Sequence, residues 1–125
     1  MWVKVAVIAL AGAVGAVSRF GLGILVTRAL GVGFPWGTFV VNAAGCFVFG
    51  LLWSAGEHRA IDPNTRMLLL TGFVGAFTTF STFVFESFEL MRAESWKLLT
   101  LYLLGSVAVG LLSLIFGLRV ARLLA

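Results

Sequence analysis

The sequence predicts an all-α membrane protein of four spanning helices, and three observations lead there. Of 125 residues, 61% are hydrophobic and only 11% are charged. A water-soluble domain is nearer half apolar and a quarter charged, so too few polar side chains exist here to cover a soluble core. The apolar residues fall in four stretches, each reaching the roughly 20 residues that cross a hydrocarbon core of about 30 Å. Short polar linkers make successive helices antiparallel neighbours, and residues 1–125 read as a single four-helix transmembrane domain.

The first helix is expected over about 3–30. Its start, "MWVKVAVIALAGA", has the basic residue, apolar run and small residues of a cleaved leader. Apolar character continues well past Ala13, however, so the stretch reads as a retained span. The glycines and proline of "GVGFPWG" end it, and a second helix follows over about 36–56. After the polar "EHRAIDPNTR", Asp62 and Pro63 read as an N-cap followed by proline at the first helical position, opening a third helix over about 64–92. The fourth, about 95–122, opens at Ser95 as N-cap. It ends with Arg119 and Arg122, which suit the negative end of a helix.

Nine basic and five acidic residues give a net charge of +4. The basic residues form no stripe and no recognition helix, which argues against nucleic acid and for a lipid bilayer as the partner. They read as orientation signals instead. One side of the membrane would hold Lys4, Arg59, Arg66, Arg119 and Arg122, and the other Arg28, Arg92 and Lys97. That bias is weak. Two readings stay open: one orientation with a modest signal, or insertion both ways, which permits antiparallel dimers. The lone Cys46 excludes an intrachain disulfide and any multi-cysteine metal site, and reads as a packing residue. The lone His58 lies in a loop with no nucleophile–base arrangement, so the chain is not expected to be an enzyme.

Polar residues are few enough to weigh one at a time. In the second helix Thr38, Asn42 and Gly45 share a face; in the fourth, Ser106, Gly110, Ser113 and Gly117 do, with Tyr102 one turn earlier. Small-residue stripes ordinarily let membrane helices pack closely, and the fourth helix is read that way. Asn42 has four hydrogen-bonding positions to satisfy away from water. It is either glue between helices or part of a polar path. Arg19, the one charge well inside the first span, reads as snorkelling towards the headgroups.

The third span is the unusual one. No charge falls from Met67 through Phe85, yet "GFVGAFTTFSTF" (Gly72–Phe83) places two glycines and four hydroxyls at its centre. It is also longer than one crossing needs. Glycine and β-branched threonine both lower helix stability. A helix broken here would free carbonyls that attract a cation and amides that favour an anion, groups tolerated at membrane depth only when buried in protein or facing an ion or water. An unbroken helix whose hydroxyls bond back to their own carbonyls fits the sequence equally well. Phe80 and Phe83 share a face; such a pair is usually lipid-facing or core filler, whereas ring edges turned inward would offer positive charge to a small anion.

Taken together, "GAVGAVSRF" (Gly12–Phe20), "PWGTFVVNAAGCFVFG" (Pro35–Gly50) and "GFVGAFTTFSTF" resemble the Fluc/CrcB family of fluoride channels, over essentially the whole chain. The resemblance implies a third helix broken mid-membrane and an antiparallel (dual-topology) homodimer with two pores. It implies passive export of fluoride across the bacterial cytoplasmic (inner) membrane, which protects the cell from fluoride toxicity. It implies a structural Na+ at the dimer centre, held by carbonyls at the positions of Gly75 and Thr78. Fluoride would meet Asn42, Phe80, Ser81, Thr82, Phe83, Tyr102 and Ser106, with Arg19 at the aqueous approach. Two positions depart from common family patterns: Gly110, where some members have serine, and Ala76, where glycine is common. Ala76 limits the backbone angles available at a break.

Two other classes are disfavoured. A small multidrug transporter needs a membrane-embedded carboxylate, typically in the first helix, which here has none; Glu86 and Glu89 lie late in the third. A purely structural subunit would explain the small-residue stripes but not the hydroxyl-rich centre of the third span.

Overall fold

A computed structural model describes residues 1–57 and 61–124; His58 and Arg59 lie outside the described residues. All regular structure within them is helical: α1 (Trp2–Leu30), α2 (Trp36–Glu57), α3 (Pro63–Leu69), a π-helical segment (Leu70–Val74), α4 (Gly75–Phe77), α5 (Phe80–Arg92) and α6 (Trp96–Leu124). Four units are long and apolar enough to span a membrane: α1, α2, the composite Pro63–Arg92 and α6. At about 1.5 Å per residue, α1 and α6 are each some 43 Å long, which calls for tilt in a core of about 30 Å.

The helix ends follow local chemistry. Gly31, at φ 86°, closes α1 in the left-handed region open to glycine. Asp62 accepts from the amides of Asn64 (3.1 Å) and Thr65 (3.0 Å), capping α3 with Pro63 at its first position. Hydrogen bonds from Thr65, its side chain foremost, and from Asn64 hold the exposed Asp62 carboxyl below its ordinary pKa. Ser95 behaves differently from the sequence expectation. Its carbonyl accepts the Leu99 amide, but its hydroxyl turns back to the Ala93 carbonyl (3.4 Å) instead of capping α6. The preceding Glu94 takes φ 52° to make the tight α5–α6 turn.

Packing depends on glycine. Helices α2 and α6 run parallel: Phe39 lies against Gly105, Cys46 against Gly110, and Phe47 and Leu51 against Gly117. Gly117 meets the Phe47 carbonyl and Gly50 the Leu114 carbonyl so closely that no side chain fits at either position. The small-residue stripe of α6 therefore packs a helix, as its spacing predicted. Ser54, fully buried on this side of α2, has no hydrogen-bond partner among the described residues. A second seam joins α1 to the π-helical segment, where Gly15 meets the Phe73 carbonyl and Gly72 lies against the Ile8 backbone and the Ala11 side chain. At the α2–α3 end, Arg66 donates to the Trp53 carbonyl (3.1 Å), its guanidinium 4.6 Å from the centre of the Trp53 ring. Leu10, Val17 and Phe20 of α1 and Leu104, Leu112 and Phe116 of α6 remain exposed, as faces turned to lipid or another chain would be.

The third span is broken, which decides between the two sequence readings. The break falls inside the expected stretch, at its threonines and not at its glycines. Gly75 has ordinary helical angles (φ −60°, ψ −35°), and the chain leaves the helix only at Thr78 (ψ 160°) and Thr79 (φ −144°, ψ 122°). Gly72 is a packing residue and Ala76 lies inside α4, so neither acts as a hinge. The extra turn width of the π-helical segment ends one residue before Gly75.

Candidate functional site

The break is held open by an exchange of hydrogen-bond partners. In a continuous helix the Thr79 amide would close on the Gly75 carbonyl and the Thr82 amide on the Thr78 carbonyl. Here the Thr79 amide donates to Asn42 Oδ1 at 2.8 Å and the Thr82 amide to Thr79 Oγ1 at 3.2 Å. Asn42 Nδ2 donates back to the Thr79 carbonyl at 3.0 Å. The carboxamide thus pairs with the extended Thr79 residue as a neighbouring strand would. Both polar ends of Asn42 are occupied, with one Nδ2 hydrogen to spare. The Thr78 hydroxyl returns to the Val74 carbonyl (3.0 Å), and Arg19 Nη1 reaches the Thr78 carbonyl at 3.4 Å. The carbonyls of Gly75 and Thr78 are thereby released from helical pairing.

These are neutral, hard oxygen ligands at the negative end of a half-helix, a donor set that suits a small monovalent cation. Among the described residues no cluster of three His, Cys, Asp or Glu offers an alternative metal site.

Two open cavities meet across Thr79, which lines both. The first, about 450 Å³, is bordered by Arg19, Thr27, Thr38, Thr82 and Glu86. The second, about 540 Å³, is bordered by Asn42, Thr78, Phe80, Phe83 and Ser106, with Gly45 and Cys46 on its floor. Phe80 and Phe83 stand 6.2 Å apart, ring to ring, at 41°. Phe80 is 77% exposed, its ring projecting from the single chain. The Ser106 hydroxyl has its oxygen buried and no partner among the described residues, so its donor is free at the cavity wall.

The sequence-predicted site residues therefore divide. Asn42, Phe80, Phe83 and Ser106 come together in the second cavity, and Arg19 and Thr82 in the first. Ser81 is exposed and borders neither. Tyr102 is fully buried against Phe34 (5.4 Å) and Phe83 (5.0 Å). Arg19 reaches inward to the break rather than out to the headgroups, contrary to the snorkelling expectation, because the released Thr78 carbonyl offers it an acceptor.

One residue was missed by sequence reasoning. Glu86 accepts from Thr38 Oγ1 at 2.9 Å and from the Tyr102 hydroxyl at 2.6 Å, one donor on each carboxylate oxygen. A carboxylate in lipid would be costly; here it is half-buried, twice hydrogen-bonded and open to the first cavity. The available signal was spacing: Glu86 lies one turn beyond Thr82, on the face of α5 that carries the rest of the site.

Residues 6–118 match the family model described as CrcB-like protein, Camphor Resistance (CrcB). A protein of Nitrosococcus oceani named fluoride-specific ion channel FluC is 46% identical over 125 residues, covering 99% of this chain and 100% of its own. Proteins of the same name from Nitratidesulfovibrio vulgaris and Solidesulfovibrio magneticus are 49% and 48% identical, covering 96% and 97% of this chain and 98% of each of their own.

Proposed function

The chain belongs to the CrcB family of multi-pass bacterial membrane proteins, and from that premise we propose that it is a fluoride-selective channel, not an enzyme, exporting fluoride passively across the cytoplasmic membrane. Two copies pair antiparallel. Their projecting Phe80 rings and open second cavities cover one another to make two pores, and a sodium ion is shared by the carbonyls of Gly75 and Thr78 from both chains.

The observation that carries this reading is the second cavity. A small, strongly hydrated anion leaves water only where closely spaced donors replace its hydration shell. Ser106 brings an unpartnered hydroxyl, Asn42 a spare amide hydrogen, and Phe80 and Phe83 the positive edges of two rings. None of these is a fixed cation, so the anion is bound weakly enough to leave. Arg19 in the first cavity raises the local anion concentration. The two hydroxyls on Glu86 blunt the repulsion its carboxylate would exert there. Tyr102 serves the path through Glu86 and Phe83, and Ser81 awaits a lining role that the paired chain supplies.

The test is fluoride efflux from liposomes containing the purified protein, against a chloride control. Fast fluoride release with little chloride release is expected. Phe80→Ile should reduce fluoride release at least about a hundredfold while leaving the protein folded and dimeric, the size of effect seen when an electrostatic ligand is removed from a desolvated site. Equal release of both anions, or unchanged flux in the variant, would overturn the reading.

A further inference from the structure

We propose that Arg19 is a built-in stand-in for the cation at the break: its guanidinium holds the Thr78 carbonyl in the unpaired chain and surrenders it to a monovalent cation when two chains assemble. The inference rests on the sodium-linked dimer of the preceding section.

The Thr78 carbonyl needs a partner. Its natural donor, the Thr82 amide, is taken by Thr79 Oγ1, and it ends a half-helix whose dipole favours positive charge. Arg19 also needs a partner. It is half-buried within a spanning helix and, among the described residues, the one ion pair joins Arg92 to Glu89. Each group answers the other's requirement across 59 residues of sequence.

The contact is a loose one. At 3.4 Å it is well beyond the roughly 2.7–2.9 Å of a charge-assisted bond, so it satisfies the carbonyl without locking it. An exit also exists. Arg19 borders the first cavity, where water, the Thr38 and Thr82 hydroxyls and the Glu86 carboxylate can receive a displaced guanidinium. A spherical ion can be shared equally by two symmetry-related carbonyls, whereas a planar guanidinium tethered to one chain cannot. Assembly therefore exchanges the internal cation for the shared one, and the same exchange leaves Arg19 wholly to the cavity it already borders, through which fluoride arrives.

The experiment compares the full-length chain with Arg19→Gln in detergent, titrating sodium chloride into a buffer of N-methyl-glucamine chloride. It reads the dimer fraction by intersubunit energy transfer and thermal unfolding at each point. The stand-in predicts two changes together. In sodium-free buffer R19Q should melt several degrees below the parent, because its Thr78 carbonyl is bare. The sodium concentration for half-maximal dimer should fall at least about threefold, because the competitor is gone. A lower half-concentration with an unchanged sodium-free melt would mean repulsion at a distance and would overturn the contact role. No change in either would overturn the proposal outright. A parent protein indifferent to sodium would instead overturn the sodium reading itself, and the exchange with it.

Should R19Q fail to fold, the parent chain still decides. Thr78–Thr79 is the only Thr-Thr pair in the sequence, so carbonyl-13C and amide-15N threonine give one coupled resonance. Sodium should shift that carbonyl and the Arg19 side-chain signals over the same concentration range; a carbonyl shift with Arg19 unmoved would refute the exchange.

Discussion

The seam between α2 and α6 and the break in the third span are made of the same materials, glycine, serine and threonine at helical spacing. In the seam, Gly50 and Gly117 bring one backbone against the other and the buried Ser54 hydroxyl finds no partner among the described residues. At the break, Thr79 and Asn42 redirect backbone groups: Thr79 takes the Thr82 amide, Asn42 takes the Thr79 amide, and two carbonyls lose their helical partners. One region uses small side chains for what they lack, the other for the hydrogen bonds they divert. Small polar residues in a membrane helix thus acquire a function only through the partner each one finds.

The contrast is open to direct attack. Gly117→Leu should have the largest effect, because its Cβ would enter the Phe47 carbonyl and neither backbone can retreat. No monodisperse peak is expected in size-exclusion chromatography; a well-folded G117L would show that the seam does not hold α2 to α6. Asn42→Ala comes next. It leaves both the amide and the carbonyl of a buried Thr79 unpaired, at about 1–3 kcal/mol each. Thermal unfolding should move down accordingly and fluoride efflux fall at least tenfold. An unchanged melt would mean that the break is kept open without the latch.

Tyr102→Phe is milder. It keeps the ring against Phe34 and Phe83 and removes one donor from Glu86, a charged hydrogen bond of about 1.5–3 kcal/mol. Part of that loss is offset by water from the first cavity, so the melt should fall by less than in Asn42→Ala; a drop as large would mean Glu86 is closed to water. Ser54→Ala should do least. Deleting a hydroxyl that has no partner among the described residues removes a desolvation penalty, so stability is expected to stay level or rise by about 1 kcal/mol. A clear loss would reveal a hidden acceptor in the seam and blur the distinction between the two regions.

How far the sequence could be read follows the same division. The four helices, the Asp62–Pro63 start and the packing role of the α6 stripe depend on composition, spacing and neighbouring residues, and they stand within a residue or two of expectation. The break was legible as an alternative within Gly72–Phe83, but not the residue at which it opens. Glycine and threonine content marked the whole stretch from Gly72 to Thr82, and within it the chain parts at Thr78 and Thr79, because there a side chain from another helix offers itself to the backbone. Glu86 was invisible for a related reason: a carboxylate in α5 is tolerable only through Thr38 and Tyr102, 48 and 16 residues away. Local pattern reveals helices; hydrogen bonds between distant residues decide where one of them opens.

Those separations also set an order of events during synthesis. The two halves of the Asn42–Thr79 latch lie 37 residues apart and are both present once the third span has emerged, before α6 exists. Glu86 obtains its first donor, Thr38, at that same stage, and its second, Tyr102, only when α6 arrives. The nascent chain can therefore shape its broken helix early, while the last helix to be made both closes the glycine seam against α2 and completes the carboxylate's ligation. A ribosome-bound chain stopped after Arg92 should already carry the latch with Glu86 half-satisfied, so that the final helix acts as the locking step of folding.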